Sequence, residues 1–249
     1  MTRALQWEGC LNVRDLGGVP LEHGGETRYG TLVRADNIRR LSDEGWRSLA
    51  DHGVVRIVDL RWPEELDEDP PRDVHADVVH VSLLGTLDVD YKDDIADYMA
   101  ADDPAGYWAS SYTAILDEFH QNFGRALAAI ADAPDGVVLF HCAGGKDRTG
   151  LVAALLLRLA GASIDDIAAD YSLSEANLNA GPRPWVESAP NETVRAQREF
   201  MQQTPPAAMA RALTALEERF GDVRSYLRAA GLSDSQLAQL EARLAAPRA

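Results

Sequence analysis

The sequence predicts an α/β fold: a mostly parallel central sheet flanked by helices, with extra helices in its C-terminal part. Three observations carry this. The runs Val54–Leu60 and Val137–Phe140 are short, apolar and rich in β-branched residues, as buried strands are. Segments of helical spacing separate them. Finally, Val137–Phe140 passes through a short loop into an apolar helix, the strand–loop–helix unit found at the centre of parallel sheets.

In chain order, residues 9–36 read as an irregular start with a short strand at Thr31–Arg34. Ser42–His52 reads as a helix, capped by Ser42 and ended by Gly53. Ala76–Leu83 is a further strand. Residues 86–103 carry Asp88, Asp90, Asp93, Asp94, Asp97, Asp102 and Asp103, a run expected to be a solvated loop or helix face. Across residues 106–132, Tyr112, Ile115, Leu116, Phe119, Phe123, Leu127 and Ile130 form one broad helical stripe. The apolar helix after the fourth strand spans Thr149–Leu159 and stops at Gly161. Residues 164–176 are a second helix, and residues 180–190, with three prolines, a loop. Leu213, Leu216 and Phe220, then Leu237, Leu240 and Leu244, keep helical spacing and are expected to pack on the core. No linker composition or repeat interrupts the 249 residues, so a single domain over 1–249 is expected, with its helical C-terminal part at about 190–249, large enough to need neither disulfide nor metal.

The formal net charge of −16 disfavours nucleic acid and anionic membranes as partners. The longest apolar run, about residues 151–157, is too short to span a bilayer. The N-terminus lacks an apolar signal-peptide core, which favours a reducing, cytoplasmic location, with export by a signal-less route as the alternative. Of the two cysteines, Cys10 reads as a packing residue, with redox pairing to Cys142 as the alternative.

The chemistry concentrates in residues 137–150, VVLFHCAGGKDRTG. Cys142 and Arg148 are separated by five residues, in a loop between a buried strand and a helix. A loop with Gly144 and Gly145 can curl so that successive backbone N–H groups point inward, forming an anion nest closed by a helix N-terminus. That positive field favours the nucleophilic thiolate of Cys142. Arg148 offers a planar fork to two phosphoryl oxygens, at a helix start where an unpaired cation is electrostatically disfavoured. The alternative is an inert buried thiol beside a surface arginine.

HCAGGKDRTG resembles the signature of the protein tyrosine phosphatase superfamily, and more closely the bacterial and fungal group whose loop reads HCxxGKDRTG. Asn12-Val13-Arg14-Asp15-Leu16-Gly17-Gly18 is similar to that group's NxRDLGG segment. Val58-Asp59-Leu60-Arg61 with Pro63-Glu64-Glu65 is similar to its DLRxPxE segment. The resemblance covers roughly residues 9–160. It implies a phosphoric monoester hydrolase acting on phosphotyrosine proteins, phosphoinositides or both, without cofactor or metal. Cys142 would be the nucleophile and Arg148 the phosphate clamp. Ala143, Gly144, Gly145, Lys146 and Asp147 would line the phosphate with Arg148, and Lys146 would add a second positive charge. Thr149 would serve the departing thiolate, and His141 would fix the loop through backbone bonds.

The proton donor has two candidates. Asp147 lies inside the loop. Asp59 ends a strand expected to neighbour the catalytic one, at the carboxyl edge where open α/β sheets place their ligands. Asp147 is slightly favoured, and a helix or loop cap or an ion pair with Arg61 is the alternative for Asp59. Trp62-Pro63 matches the mobile Trp-Pro-Asp loop of familiar tyrosine phosphatases only by chance. Arg14 and Asp15 either brace the phosphate loop or cap the turn before Gly17-Gly18. A rhodanese-like sulfur carrier and a phosphate-reading module without turnover are the competing functions; the Lys146–Thr149 run disfavours the first, and the presence of Cys142 the second. Substrate identity and oligomeric state are not legible.

Overall fold

A computed structural model describes residues 2–70, 72, 74–85, 99–100 and 102–245. Its sheet has five strands: β1 Arg14–Asp15, β2 Leu32–Ala35, β3 Val54–Asp59, β4 Asp77–His80 and β5 Val137–His141. Their order is β1-β2-β5-β3-β4, with β1 antiparallel to β2 and every other pairing parallel. The expected α/β architecture is therefore present. In register, Ala35 and Asp59 both lie opposite His141. The carboxyl ends of β2, β5 and β3 thus meet at one edge, where such sheets bind ligands.

Side chains alternate across the sheet. Leu32, Val58, Val138 and Phe140 enter a large cluster on one face, while Val33, Ile57, Val137 and Leu139 enter a smaller one on the other. Burial on both faces explains why these strands read as continuous apolar runs. The smaller cluster is closed by α1 Asp43–Asp51, whose N-cap is Ser42. The larger one is closed by α3 Pro104–Glu118, α4 His120–Ala131, α5 Asp147–Ala160 and α6 Ile164–Asn179. The C-terminal helices α9 Pro206–Phe220, α10 Val223–Ala229 and α11 Asp234–Leu244 join that cluster through Leu213, Leu216, Leu227, Leu237, Leu240 and Leu244.

Several elements differ from the sequence reading. The stripe over 106–132 breaks at Phe119 into α3 and α4, and the change of direction keeps both Tyr112 and Phe123 in the same cluster. Helix α2 Pro63–Glu68 was not anticipated, because it buries nothing and so shows no apolar stripe. Its start is set by Pro63 in the first turn and by Glu65, which accepts from the Trp62 backbone N–H at 2.8 Å. The proline-rich loop contains one helical turn, α7 Pro184–Glu187, followed by α8 Glu192–Gln202. The two-residue β1 is too short to have a pattern. Of the acidic run, Asp88, Asp90, Asp93, Asp94 and Asp97 lie outside the described residues.

Candidate active site

Residues 142–146 join β5 to α5. Their carbonyls are tethered from behind. Ala143 O accepts from the Asn37 backbone N–H at 3.0 Å. Asn12 Nδ2 donates to Gly144 O and Gly145 O, both at 3.1 Å. Arg34 donates to Gly145 O at 2.7 Å and, more weakly, to Lys146 O at 3.5 Å. In a trans peptide the N–H points opposite to the C=O. Pinning these carbonyls outward therefore aims the N–H groups of Gly144, Gly145, Lys146 and Asp147 to the concave side. Lys146, at the N-cap of α5, makes no side-chain cap hydrogen bond. The loop and the first turn of the helix thus present a cluster of inward donors suited to an anion.

The two glycines differ. Gly145 has φ +63°, and a Cβ there would lie 2.4 Å from Ala35 O. Only glycine allows the loop this close to β2. At Gly144 the nearest atom to such a Cβ is 3.9 Å away, so that position tolerates a side chain.

Cys142 is buried at the carboxyl end of β5. Arg148 lies in the first turn of α5. Its Nη1 and Nη2 donate to Glu65 at 2.5 and 3.1 Å, and the guanidinium carbon lies 4.3 Å from the Trp62 ring centre. Burial opposes the Arg148 charge, but the Cys142 sulfur and the Glu65 carboxylate outweigh it and hold the group above its ordinary pKa. Trp62 and Glu65 thus bracket Arg148, which places the Trp62-Pro63 step beside the predicted clamp.

The side chain of Lys146 is enclosed. Its Nζ donates to Met201 O at 2.5 Å and Gln203 O at 3.1 Å, and lies 3.3 Å from Asp147 Oδ1 and 3.8 Å from the Trp108 ring centre. An ammonium has three protons. Two of them are donated to these carbonyls, and the Asp147 carboxylate and the Trp108 ring enclose the rest of the group. Burial pushes its pKa down, partly offset by Asp147.

The two candidate proton donors are in different surroundings. Asp147 has 37% of its side chain exposed, and Tyr112 Oη donates to its Oδ1 at 2.5 Å. Asp59 has only 3% exposed. Its oxygens accept from Arg61 Nε at 3.0 and 3.1 Å and Arg61 Nη2 at 2.7 Å, and its Oδ2 lies 3.6 Å from His141 Nε2. Burial raises the Asp59 pKa, but His141 and Arg61 together more than reverse this and hold it below the usual range. His141 Nδ1 lies 3.3 Å from Cys142 O, which fits a residue that holds the loop. Burial lowers its pKa against the pull of Asp59. Thr149 Oγ1 is buried and has no hydrogen-bond partner among the described residues.

Behind the tethers is a layer that sequence reasoning missed. Asp170 on α6 receives Arg14 Nε at 3.1 Å and Arg34 Nη1 at 2.7 Å, with Arg3 as a third partner. These arginines overcome the burial penalty and hold the Asp170 carboxyl far below its usual range, while burial lowers Arg34 to about 10. Arg14 also donates to Asn12 Oδ1 at 2.5 Å. Arg14 therefore braces the loop indirectly. Asp15 instead caps its turn, accepting from the Gly17 and Gly30 N–H groups at 2.7 and 2.8 Å. One signal was available: Arg34 sits in the apolar run Leu32–Ala35, and a buried arginine requires an anionic partner. Cys10 donates from Sγ to Asn37 O at 3.5 Å, and burial with nearby Asp36 raises its thiol pKa well above the ordinary value, as suits a packing residue.

This layer makes a stability prediction. Asp170→Asn is expected to cost about 3–5 kcal/mol near neutral pH, because it leaves buried arginines uncompensated. Because the folded-state pKa of Asp170 is depressed, its contribution is complete above the unfolded carboxyl value of about 3.9 and fades as pH falls below it. Urea unfolding of both proteins at several pH values should show the gap narrowing in acid. A gap independent of pH would refute the ionic role.

Comparison with known proteins agrees with this geometry. A profile of the tyrosine phosphatase family matches residues 5–246. The chain belongs to the tyrosine phosphatase family. A tyrosine-protein phosphatase of Nostoc commune is 33% identical over 222 residues, covering 86% of this chain and 74% of that protein. The triple specificity protein phosphatase PtpB of Mycobacterium tuberculosis is 28% identical over 270 residues, covering 91% and 94%. The chain is accordingly a phosphatase, a hydrolase of phosphorylated substrates. Among the described residues no helix is long and apolar enough to cross a membrane.

Proposed function

We propose that this phosphatase hydrolyses phosphomonoesters through a cysteinyl-phosphate on Cys142, with phosphotyrosine and phosphoinositides as its substrate classes. The observation that carries the reading is the tethered loop. Its carbonyls are held outward by Asn12, Asn37 and Arg34, and its N–H groups converge beside Cys142 and Arg148. The Cys142 thiolate attacks phosphorus, and an S–P bond forms as the P–O bond to the leaving group breaks. Asp147 gives its proton to the leaving oxygen. Water then attacks phosphorus, Asp147 takes back a proton, and the thiolate departs toward the Thr149 hydroxyl. Inward N–H groups and Arg148 act on the equatorial oxygens, where negative charge sits in the transition state.

Exposure supports Asp147 as the donor, since substrate can reach it. The Asp59 carboxylate is enclosed by Arg61 and His141 and kept ionised, which suits a residue that positions His141 and through it the loop. A relative named for triple specificity favours assaying more than one ester class. The test compares a phosphotyrosine peptide with a soluble phosphoinositide, using wild type, Asp147→Asn and Asp59→Asn. General acid catalysis contributes about 10²–10⁴-fold and matters most for a poor leaving group. Asp147→Asn should lose far more on the inositol ester than on the aryl ester, and Asp59→Asn should lose evenly on both. The opposite pattern would reverse the assignment. Wild-type turnover of only one ester would narrow the substrate class to that one.

A further inference from the structure

The phenol of Tyr112 lies inside the core, on the stripe that the sequence marks as apolar, yet its hydroxyl reaches the phosphate loop. Tyr112 is fully buried and donates to Asp147 Oδ1 at 2.5 Å. The Tyr171 hydroxyl lies 2.8 Å from the Tyr112 hydroxyl. A phenol has one proton, and that of Tyr112 is directed to Asp147. Tyr171 is therefore the donor in the second bond. The chain of donation runs from Tyr171 on α6, through Tyr112 on α3, to Asp147 on α5. Lys146 Nζ approaches the same oxygen, Oδ1, at 3.3 Å. Both polar contacts thus fall on Oδ1, which orients the carboxyl group with Oδ2 directed elsewhere.

We propose that Tyr112, backed by Tyr171, is a positioning residue for proton transfer: it fixes Asp147 by Oδ1 so that Oδ2 presents the proton to the leaving oxygen. This rests on Asp147 being the proton donor. The balance of the step explains why a phenol helps. When Oδ2–H passes its proton to the leaving oxygen, a full negative charge appears on the carboxylate. The Tyr112 O–H and the Lys146 ammonium are already directed at Oδ1 and stabilise that charge without rearrangement. In the second half-reaction the carboxylate accepts a proton from water, and the same two donors keep it aligned. Tyr112 must remain protonated to do this. Burial first, then the Asp147 charge and Tyr171, push its pKa well above the ordinary phenol value, so it remains a donor throughout the working pH range. A tyrosine serving only as packing would bury its ring equally well but would need no carboxylate at the hydroxyl.

The experiment is a double-mutant cycle with Tyr112→Phe and Asp147→Asn, read on 4-nitrophenyl phosphate and on an alkyl phosphate. Phenylalanine keeps the ring and removes the hydroxyl. Tyr112→Phe should lower kcat on the alkyl ester about 10-fold or more beyond its effect on the activated aryl ester, the size expected for a hydrogen bond to a charged group. KM and the affinity for inorganic phosphate should move little, since the phosphate cradle is built elsewhere. In the Asp147→Asn background the same substitution should add no further selective loss. Tyr171→Phe should show the same selectivity more weakly, and it carries the test if Tyr112→Phe does not fold. Equal loss on both esters, or a selective loss added in full to that of Asp147→Asn, would overturn the inference. If Asp147→Asn itself shows no leaving-group dependence, the proton-donor reading fails first. If it does and neither tyrosine variant follows, only the Tyr112 role is lost.

Discussion

Cys142→Ser is expected to abolish turnover while leaving the affinity for inorganic phosphate close to that of the unaltered protein. A serine hydroxyl is not ionised near neutral pH and cannot replace a thiolate as nucleophile. Where a covalent hydrolase loses its nucleophile, the loss is on the order of 10⁵-fold or more. The anion cradle should survive because none of its supports is the cysteine side chain. The tethers run from Asn12, Asn37 and Arg34 to the carbonyls of residues 143–146, and His141 bonds to the carbonyl of residue 142 rather than to its sulfur. Turnover of 4-nitrophenyl phosphate and calorimetric titration with phosphate separate the two effects. Substantial activity in Cys142→Ser would end the covalent mechanism. Loss of phosphate affinity together with activity would show that the cradle depends on the sulfur.

The second large effect is expected for Arg148→Lys, with kcat/KM falling about 10²–10³-fold, as when a donor to transition-state charge is removed. The guanidinium already meets two demands. It donates through Nη1 and Nη2 to Glu65, and its central carbon lies 4.3 Å from the Trp62 ring centre. Its remaining N–H groups are left for the phosphoryl oxygens, and the bracket of Glu65 and Trp62 sets the direction in which they point. A lysine ammonium has neither the planar fork nor the stacking face. It would be drawn to Glu65 and leave the phosphoryl group without a clamp. Rates within a few-fold of the unaltered protein would show that Arg148 does not act on the phosphoryl group.

Much of this was legible in the chain because local rules apply to it. The strands β3 and β5 announce themselves by composition, and helix α5 follows its loop immediately. The segment from His141 to Thr149 carries the proposed nucleophile, clamp and anion nest within nine consecutive positions, so the proposal could be read without any fold. Elements without a pattern were missed. Helix α2 is acidic and buries nothing, and β1 has two residues.

Roles that depend on distant partners were a different matter. Asn12, Arg34 and Asp170 lie between 22 and 158 positions apart in sequence, and only the fold brings β2 and α6 against the loop. Tyr112 had the spacing of a packing residue, because its ring does pack; its hydroxyl acquires meaning only once α3 faces Asp147. The contacts of Lys146 were equally out of reach of the sequence, since the end of α8 supplies the carbonyls for its ammonium.

The sequence by itself determined the chemistry that one short loop can hold: Cys142, the inward donors permitted by Gly145, and Arg148 at the start of a helix. Tertiary structure alone decided the surroundings of the two aspartates, leaving Asp147 partly exposed and enclosing Asp59 with Arg61 and His141. The physical reason is range. Backbone conformation and helix-end electrostatics act over a few residues, whereas burial, ion pairing and the direction of a hydrogen bond depend on which remote side chains the fold brings within about 3–4 Å.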